Sequence, residues 1–135
     1  MKKILVLALC IIMVTACGKT KTSSKTMEIK LYGNGTTGYV WNYVIENNDV
    51  ILLSEENFES ENEDALVDGA GGNYIYTFKG QKEGTSKITF TYQRPWEEEI
   101  LYDITYEVEV DSSNKITLKN LTGNYDKDLP QPIFK

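Results

Sequence analysis

The sequence predicts an all-β chain folded as an immunoglobulin-like antiparallel β-sandwich. Three observations predict it. Apolar residues recur with a period of two in run after run. The runs are short and are separated by turn residues such as Asn, Asp, Gly and Ser. No window carries a helical stripe of apolar side chains. With 135 residues and 15.3 kDa the chain is one domain. A domain of that size buries roughly two-thirds of its unfolded surface, enough for one core without staples.

The N-terminus reads as a targeting segment. Lys2 and Lys3 precede an apolar run, Ile4 to Val14, of signal-peptide length. That run is short for a bilayer span. It ends in Val14-Thr15-Ala16-Cys17-Gly18, which resembles a bacterial lipobox, with small residues before a Cys that receives lipid. The resemblance implies that residues 1–16 are a lipoprotein signal peptide, with Cys17 the lipidation site and the domain extracytoplasmic and membrane-anchored. Cys10 leaves with the signal, so no disulfide remains. Removing residues 1–16 takes Lys2 and Lys3 and leaves 12 basic against 20 acidic residues, a balance of −8. That balance argues against a nucleic-acid partner and against a polybasic membrane patch. The lipid would do the holding.

Residues Gly18 to Lys25 are small and polar and read as a flexible tether, reaching about 26 Å at most. Met27 to Leu31 then alternates. Tyr39, Trp41, Tyr43 and Ile45 share one face of the next run. Val50 to Leu53 is a short apolar strand. Tyr74, Tyr76 and Phe78 alternate, and Ile88, Phe90 and Tyr92 follow. Leu101 to Val110 alternates most clearly, with Tyr102, Ile104, Tyr106, Val108 and Val110 on one side. Lys115 to Lys119 is a last short candidate. If each strand reverses the one before, the plain turns 47–49, 80–84 and 111–114 share one end. The other end receives Gly33–Gly38, the long Ser54–Gly72 connection and Gln93–Glu99. Unusual loops gathered on a rigid scaffold are the usual form of a binding site.

Each of the three loops has its own chemistry. Gly33 to Gly38 combines glycines, which allow close backbone approach, with the small polar tips Thr36 and Thr37. The second connection carries Glu55, Glu56, Glu59, Glu61, Glu63 and Asp64, a solvated mobile run, and ends in Asp68-Gly69-Ala70-Gly71-Gly72. The acidic spacing matches no EF-hand loop, and the glycines lack the lysine and helix of a phosphate loop. The third, Arg94-Pro95-Trp96 followed by Glu97 to Glu99, sets a large aromatic and a fixed cation beside a rigid proline. Trp and Arg are typical interface anchors. Alone, Trp96 would read as a core residue at a sheet edge. The chain has no histidine, and no metal constellation or cofactor motif, so an enzyme is the least favoured class.

Together, Asn34-Gly-Thr-Thr-Gly-Tyr-Val-Trp41, Gly69-Ala-Gly-Gly72 and Arg94-Pro-Trp-Glu97 resemble the chagasin family of inhibitors of papain-like cysteine peptidases. The resemblance covers about residues 26–110. Tyr39, Trp41, Phe78 and Tyr92 fit its core positions. It implies a sandwich of eight strands where periodicity alone finds seven, so seven or eight are expected. It also implies a three-loop wedge that binds reversibly, competitively and without a covalent bond, as a monomer. Thr36 would meet the catalytic cysteine, with Asn34, Gly35, Thr37 and Gly38 around it. Gly69, Gly71 and Gly72 would form the second arm, and Arg94, Pro95 and Trp96 the third.

The implied organisation is residues 1–16 signal peptide, 17–25 lipidated Cys17 and tether, 26–119 inhibitor domain and 120–135 an irregular extension. Gly35 departs from the proline usual in the family, which should cost preorganisation. The competing class is an adhesion or binding module that keeps the sandwich without inhibiting a peptidase.

Overall fold

The computed structural model describes residues 21–62 and 71–135. The expected signal peptide, Cys17 and Gly69 lie outside them. Among these residues nine strands follow in order: β1 Ser23–Ser24, β2 Thr26–Gly33, β3 Val40–Ile45, β4 Ile51–Ser60, β5 Gly72–Gly80, β6 Gly84–Gln93, β7 Ile100–Val110, β8 Ile116–Asn124 and β9 Ile133–Phe134. Among the described residues the one helical element is a single 3-10 turn, Gly35–Thr37. Two antiparallel sheets result, ordered β1-β8-β7-β6-β3 and β4-β5-β2-β9.

Alternation explains the core. Met27, Ile29 and Leu31 of β2 point inward, as do Tyr76 and Phe78 of β5 and Ile88 and Phe90 of β6. From β7 come Ile104, Tyr106, Val108 and Val110. Phe90 sits at the centre, its ring centroid 5.0 Å from Tyr76, 5.9 Å from Tyr106 and 6.1 Å from both Tyr43 and Phe78. Tilted and edge-on pairs of this kind are each worth about 0.5–1.5 kcal/mol beyond the area they bury. Burial pushes the hydroxyls of Tyr76 and Tyr106 well above the ordinary tyrosine pKa. The Tyr106 hydroxyl is satisfied by donating to the Pro130 carbonyl at 2.7 Å.

The ends of the sandwich alternate as the connectivity expectation requires. The loops after β2, β4 and β6 share one pole, and those after β3, β5 and β7 the other, because every strand pairing is antiparallel. Three elements differ from the sequence reading. The acidic stretch from Glu55 to Ser60 is not a mobile loop: it completes β4, whose ladder with β5 runs to Ser60 and Gly72. Its side chains are exposed, so the ladder rather than burial holds it. The chain beyond Asn120 is not irregular throughout, since β8 continues to Asn124 along β7 and β9 pairs with Met27 and Glu28 of β2. The tether is shorter than expected at its C-terminal end, because Ser23 and Ser24 pair with Thr117 and Ile116.

Candidate functional site

The first loop is built from its own side chains. Asn34 caps the 3-10 turn: its Oδ1 accepts the Thr36 backbone N–H at 3.0 Å and the Thr36 hydroxyl at 2.6 Å. The Thr37 hydroxyl donates to the Asn34 carbonyl at 2.6 Å. Gly38 closes the turn with φ +82°, a left-handed conformation that favours glycine, and its N–H donates to Gly35 O at 3.1 Å. From below, the Tyr92 hydroxyl accepts the Asn34 N–H at 3.1 Å, and Trp41 Nε1 donates to Tyr32 O at 2.9 Å. Gly35, Thr36 and Thr37 are left exposed at the apex.

The third loop leans on the first. Glu97 N–H donates to Arg94 O at 3.0 Å, tightening the turn around Pro95. Arg94 pairs with Glu97 at 3.2 Å, donates through Nε to Thr37 O at 3.0 Å, and lies 4.5 Å over the Tyr39 ring. The Trp96 ring packs on Gly38, where a Cβ would come within 2.5 Å of it. Gly38 is thus required twice, for its φ and for the indole. Trp96 remains 72% exposed, with Ile100 and Leu101 exposed beside it in the chain. Arg94 therefore acts first within the molecule, joining two loops, rather than standing free as an interface cation.

The second loop has a different foundation. Gly71 and Gly72 are buried. A Cβ on Gly71 would strike the Tyr32 hydroxyl at 1.9 Å, and one on Gly72 would meet the Glu59 carbonyl at 2.4 Å. Their small size is needed by the sandwich itself. Glu61 N–H donates to Gly71 O at 3.0 Å, and the Tyr32 hydroxyl donates to Glu61 at 3.2 Å, so Tyr32 ties the base of this loop. Burial, first, and the Glu61 carboxylate raise the Tyr32 pKa.

Sequence reasoning brought together Asn34 to Gly38 with Arg94 to Trp96, and the structure joins them. It missed Tyr32, Tyr39 as the platform for Arg94, and the apolar pair Ile100–Leu101. A signal existed for Leu101, an apolar residue out of phase with the inward face of β7. It occupies the bulge at which Tyr92 pairs with Tyr102 but Gln93 pairs with Ile100. Also missed were Tyr125, Asp126 and Lys127, which line a shallow cavity of about 340 Å3 beneath the first and third loops. Among the described residues no group of His, Cys, Asp or Glu is placed to hold a metal ion.

This geometry can present an exposed polar tip, Thr36, beside a flat aromatic face, Trp96. Comparison with known proteins gives the arrangement a context. The profile of the family described as "Chagasin family peptidase inhibitor I42" matches residues 21–110. Amoebiasin-1 of Entamoeba histolytica is 32% identical over 77 residues, 57% of this chain and 72% of that protein. Chagasin of Trypanosoma cruzi is 32% identical over 81 residues, again 57% of this chain and 72% of that protein. The crystal structure of the cysteine protease inhibitor EhICP2 from Entamoeba histolytica superposes with a TM-score of 0.57 at 31% identity, covering 65% of this chain and 80% of that one. With its profile matched from β1 through β7, the chain belongs to the chagasin family of peptidase inhibitors.

Proposed function

We propose that the protein is a reversible, competitive, non-covalent inhibitor of papain-like cysteine peptidases, acting through the pole that carries the three loops. The observation that carries this reading is the joined first and third loops: Arg94 and Trp96 lock onto Thr37 and Gly38 while Thr36 stays exposed at the tip. A loop bonded internally before it meets a partner has little freedom left to lose on binding. Its tight turn also keeps the backbone out of the extended form a peptidase cleaves. Thr36 would sit at the catalytic cysteine and Trp96 on the enzyme surface beside the cleft. The roles given to Gly71 and Gly72 become indirect, since both are buried and fit the sandwich at the base of the second loop.

The test is a titration of residues 20–135 against papain with a fluorogenic peptide substrate. Competitive inhibition at nanomolar concentration is expected. Papain fully active at micromolar inhibitor would overturn papain as a target class and favour the adhesion reading.

The same proposal includes a lipid on Cys17 and an extracytoplasmic, membrane-held domain. Supporting it are the lipobox-like Val14 to Gly18 and the position of β1, which pairs with the start of β8 at the pole away from the loops. A tether entering there would point the loops away from the membrane. Radiolabelled palmitate incorporated by the full chain in a bacterial host, and lost in Cys17→Ser, is the expected result. Equal labelling of both would remove Cys17 from the role.

A further inference from the structure

The profile match ends at Val110, yet the chain continues for another 25 residues and returns to the loop pole. β8 delivers Tyr125 there. Its ring centroid lies 5.1 Å from Tyr102, edge-on, and 6.3 Å from Trp41. Tyr102 stacks flat on Tyr92 at 5.9 Å, and Tyr92 holds the Asn34 N–H and stacks on Tyr39, the platform for Arg94. Trp41 holds the Tyr32 carbonyl. Two residues on, the Lys127 ammonium lies 5.2 Å over the Tyr32 ring, whose hydroxyl reaches Glu61 under the second loop.

The segment itself is held on both sides, by the β8 ladder up to Asn124 and by the Tyr106–Pro130 hydrogen bond. Its side chains therefore touch the supports of the first loop and of the base of the second without standing at their tips.

We propose that Tyr125 and Lys127, outside the family-matched span, are positioning residues: a brace that fixes the first loop in its binding conformation and the Glu61–Gly71 closure at the base of the second. Tyr125 acts through Tyr102, Tyr92 and Trp41 on the base of the Asn34 turn. Lys127 acts through Tyr32 on the Glu61–Gly71 closure. The inference rests on the inhibitor reading for its functional consequence only, because the ordering of the loops is a property of the free protein.

The experiment compares the parent with Tyr125→Ala, Tyr125→Phe and Lys127→Ala, all as residues 20–135. Amide hydrogen exchange is followed at Asn34 and Glu61, and papain inhibition is measured in parallel. The expected results for Tyr125→Ala are Asn34 exchange accelerated about tenfold or more and an inhibition constant raised roughly tenfold. Tyr125→Phe, which keeps the ring, should stay within about twofold of the parent on both. Adding Gly35→Pro to Tyr125→Ala should recover part of the lost inhibition, since it restricts the same loop by another route. Lys127 is exposed, so its variant leaves the core intact if Tyr125→Ala fails to fold; it should accelerate Glu61 exchange several-fold. Unchanged exchange at Asn34 in a folded Tyr125→Ala, or at Glu61 in Lys127→Ala, would overturn the brace. Because exchange needs no peptidase, a parent that leaves papain active would sink the inhibitor reading without touching this measurement.

Discussion

The two poles of the sandwich solve the same problem, reversing a strand, with different surfaces. At the plain pole, polar side chains make the turns. Asn47 Oδ1 accepts the Asp49 N–H at 3.2 Å, and Asp111 Oδ1 accepts those of Ser113 and Lys115 at 2.8 and 2.9 Å. Asn114 adopts φ +62° there, a conformation asparagine tolerates better than most residues. At the loop pole, Asn34 performs a similar turn, yet large apolar groups are left in water. Of the seven large hydrophobic side chains exposed among the described residues, five lie at or near this pole: Tyr32, Phe58, Trp96, Ile100 and Leu101. The comparison teaches that turn chemistry alone does not mark a site. What marks it is a loop bonded within itself that still exposes an aromatic face, with further large apolar side chains exposed near it.

Five perturbations test that contrast. Thr36→Arg puts a long cation on the tip and should weaken papain inhibition by about 100-fold or more, while the thermal midpoint stays close to the parent. A loss of less than threefold would place the binding surface away from the first loop.

Raising the pH attacks the core shared by both poles. Tyr76 and Tyr106 have folded pKa values above the unfolded value, so both states hold the proton below about pH 10 and neither gains. Above that the unfolded chain ionises first, and stability falls. At pH 11 the two should together cost roughly 3 kcal/mol by proton linkage, readable as a lower urea midpoint than at pH 8. An unchanged midpoint would mean that both hydroxyls ionise in the folded state.

Trp96→Ala should weaken inhibition about 30-fold, the scale of an interface anchor, with little change in the melting temperature of so exposed a residue. Asp111→Ala, its counterpart at the plain pole, should do the reverse. Losing two turn hydrogen bonds should cost about 1 kcal/mol of stability, while the inhibition constant stays within twofold.

The smallest effect runs in the opposite direction. Gly35 opens the 3-10 turn, where proline is favoured, and Asn34 before it is already extended at φ −129° and ψ 103°. A Cβ at Gly35 would meet only the Tyr74 hydroxyl, at 3.8 Å. Gly35→Pro should therefore tighten inhibition several-fold, by about 1 kcal/mol or less. A weaker constant would show that the loop must flex to enter its target.

The central strands were legible because both sheets bury one face of each, which forces the period of two on Ile88 to Tyr92 and Ile104 to Val110. β4 was legible only at its start, in the apolar run Val50 to Leu53, and its outer part was hidden by the absence of that force. From Ser54 to Ser60 its side chains are exposed, so no apolar alternation records the ladder with β5, and a bulge at Ser54 shifts the phase. β8 faded for a related reason. Lys119 is an extra residue between the pairs Leu118–Val108 and Asn120–Glu107, so the inward positions step from Leu118 to Leu121. In the site, the first and third loops, which the structure joins through Arg94 and Trp96, were legible from their motifs. The supports beneath them, Tyr32, Tyr39 and Tyr125, were not: tyrosines are common in any β core, and nothing local distinguishes a ring that carries Arg94.

The late strands also decide which strand edges the sandwich leaves open. β8 covers β7 from Asp103 to Val110, and β9 covers the start of β2, on the same side of the sandwich. A chain trimmed after Val110, the limit of the family match, would carry two bare strand edges side by side, each offering unpaired N–H and C=O groups to another copy. The tail that follows the family-matched span thus covers edges at which copies of a shorter chain could pair. A shortened version made for convenience would be expected to elute as dimers or aggregates, with its loop motifs intact in sequence.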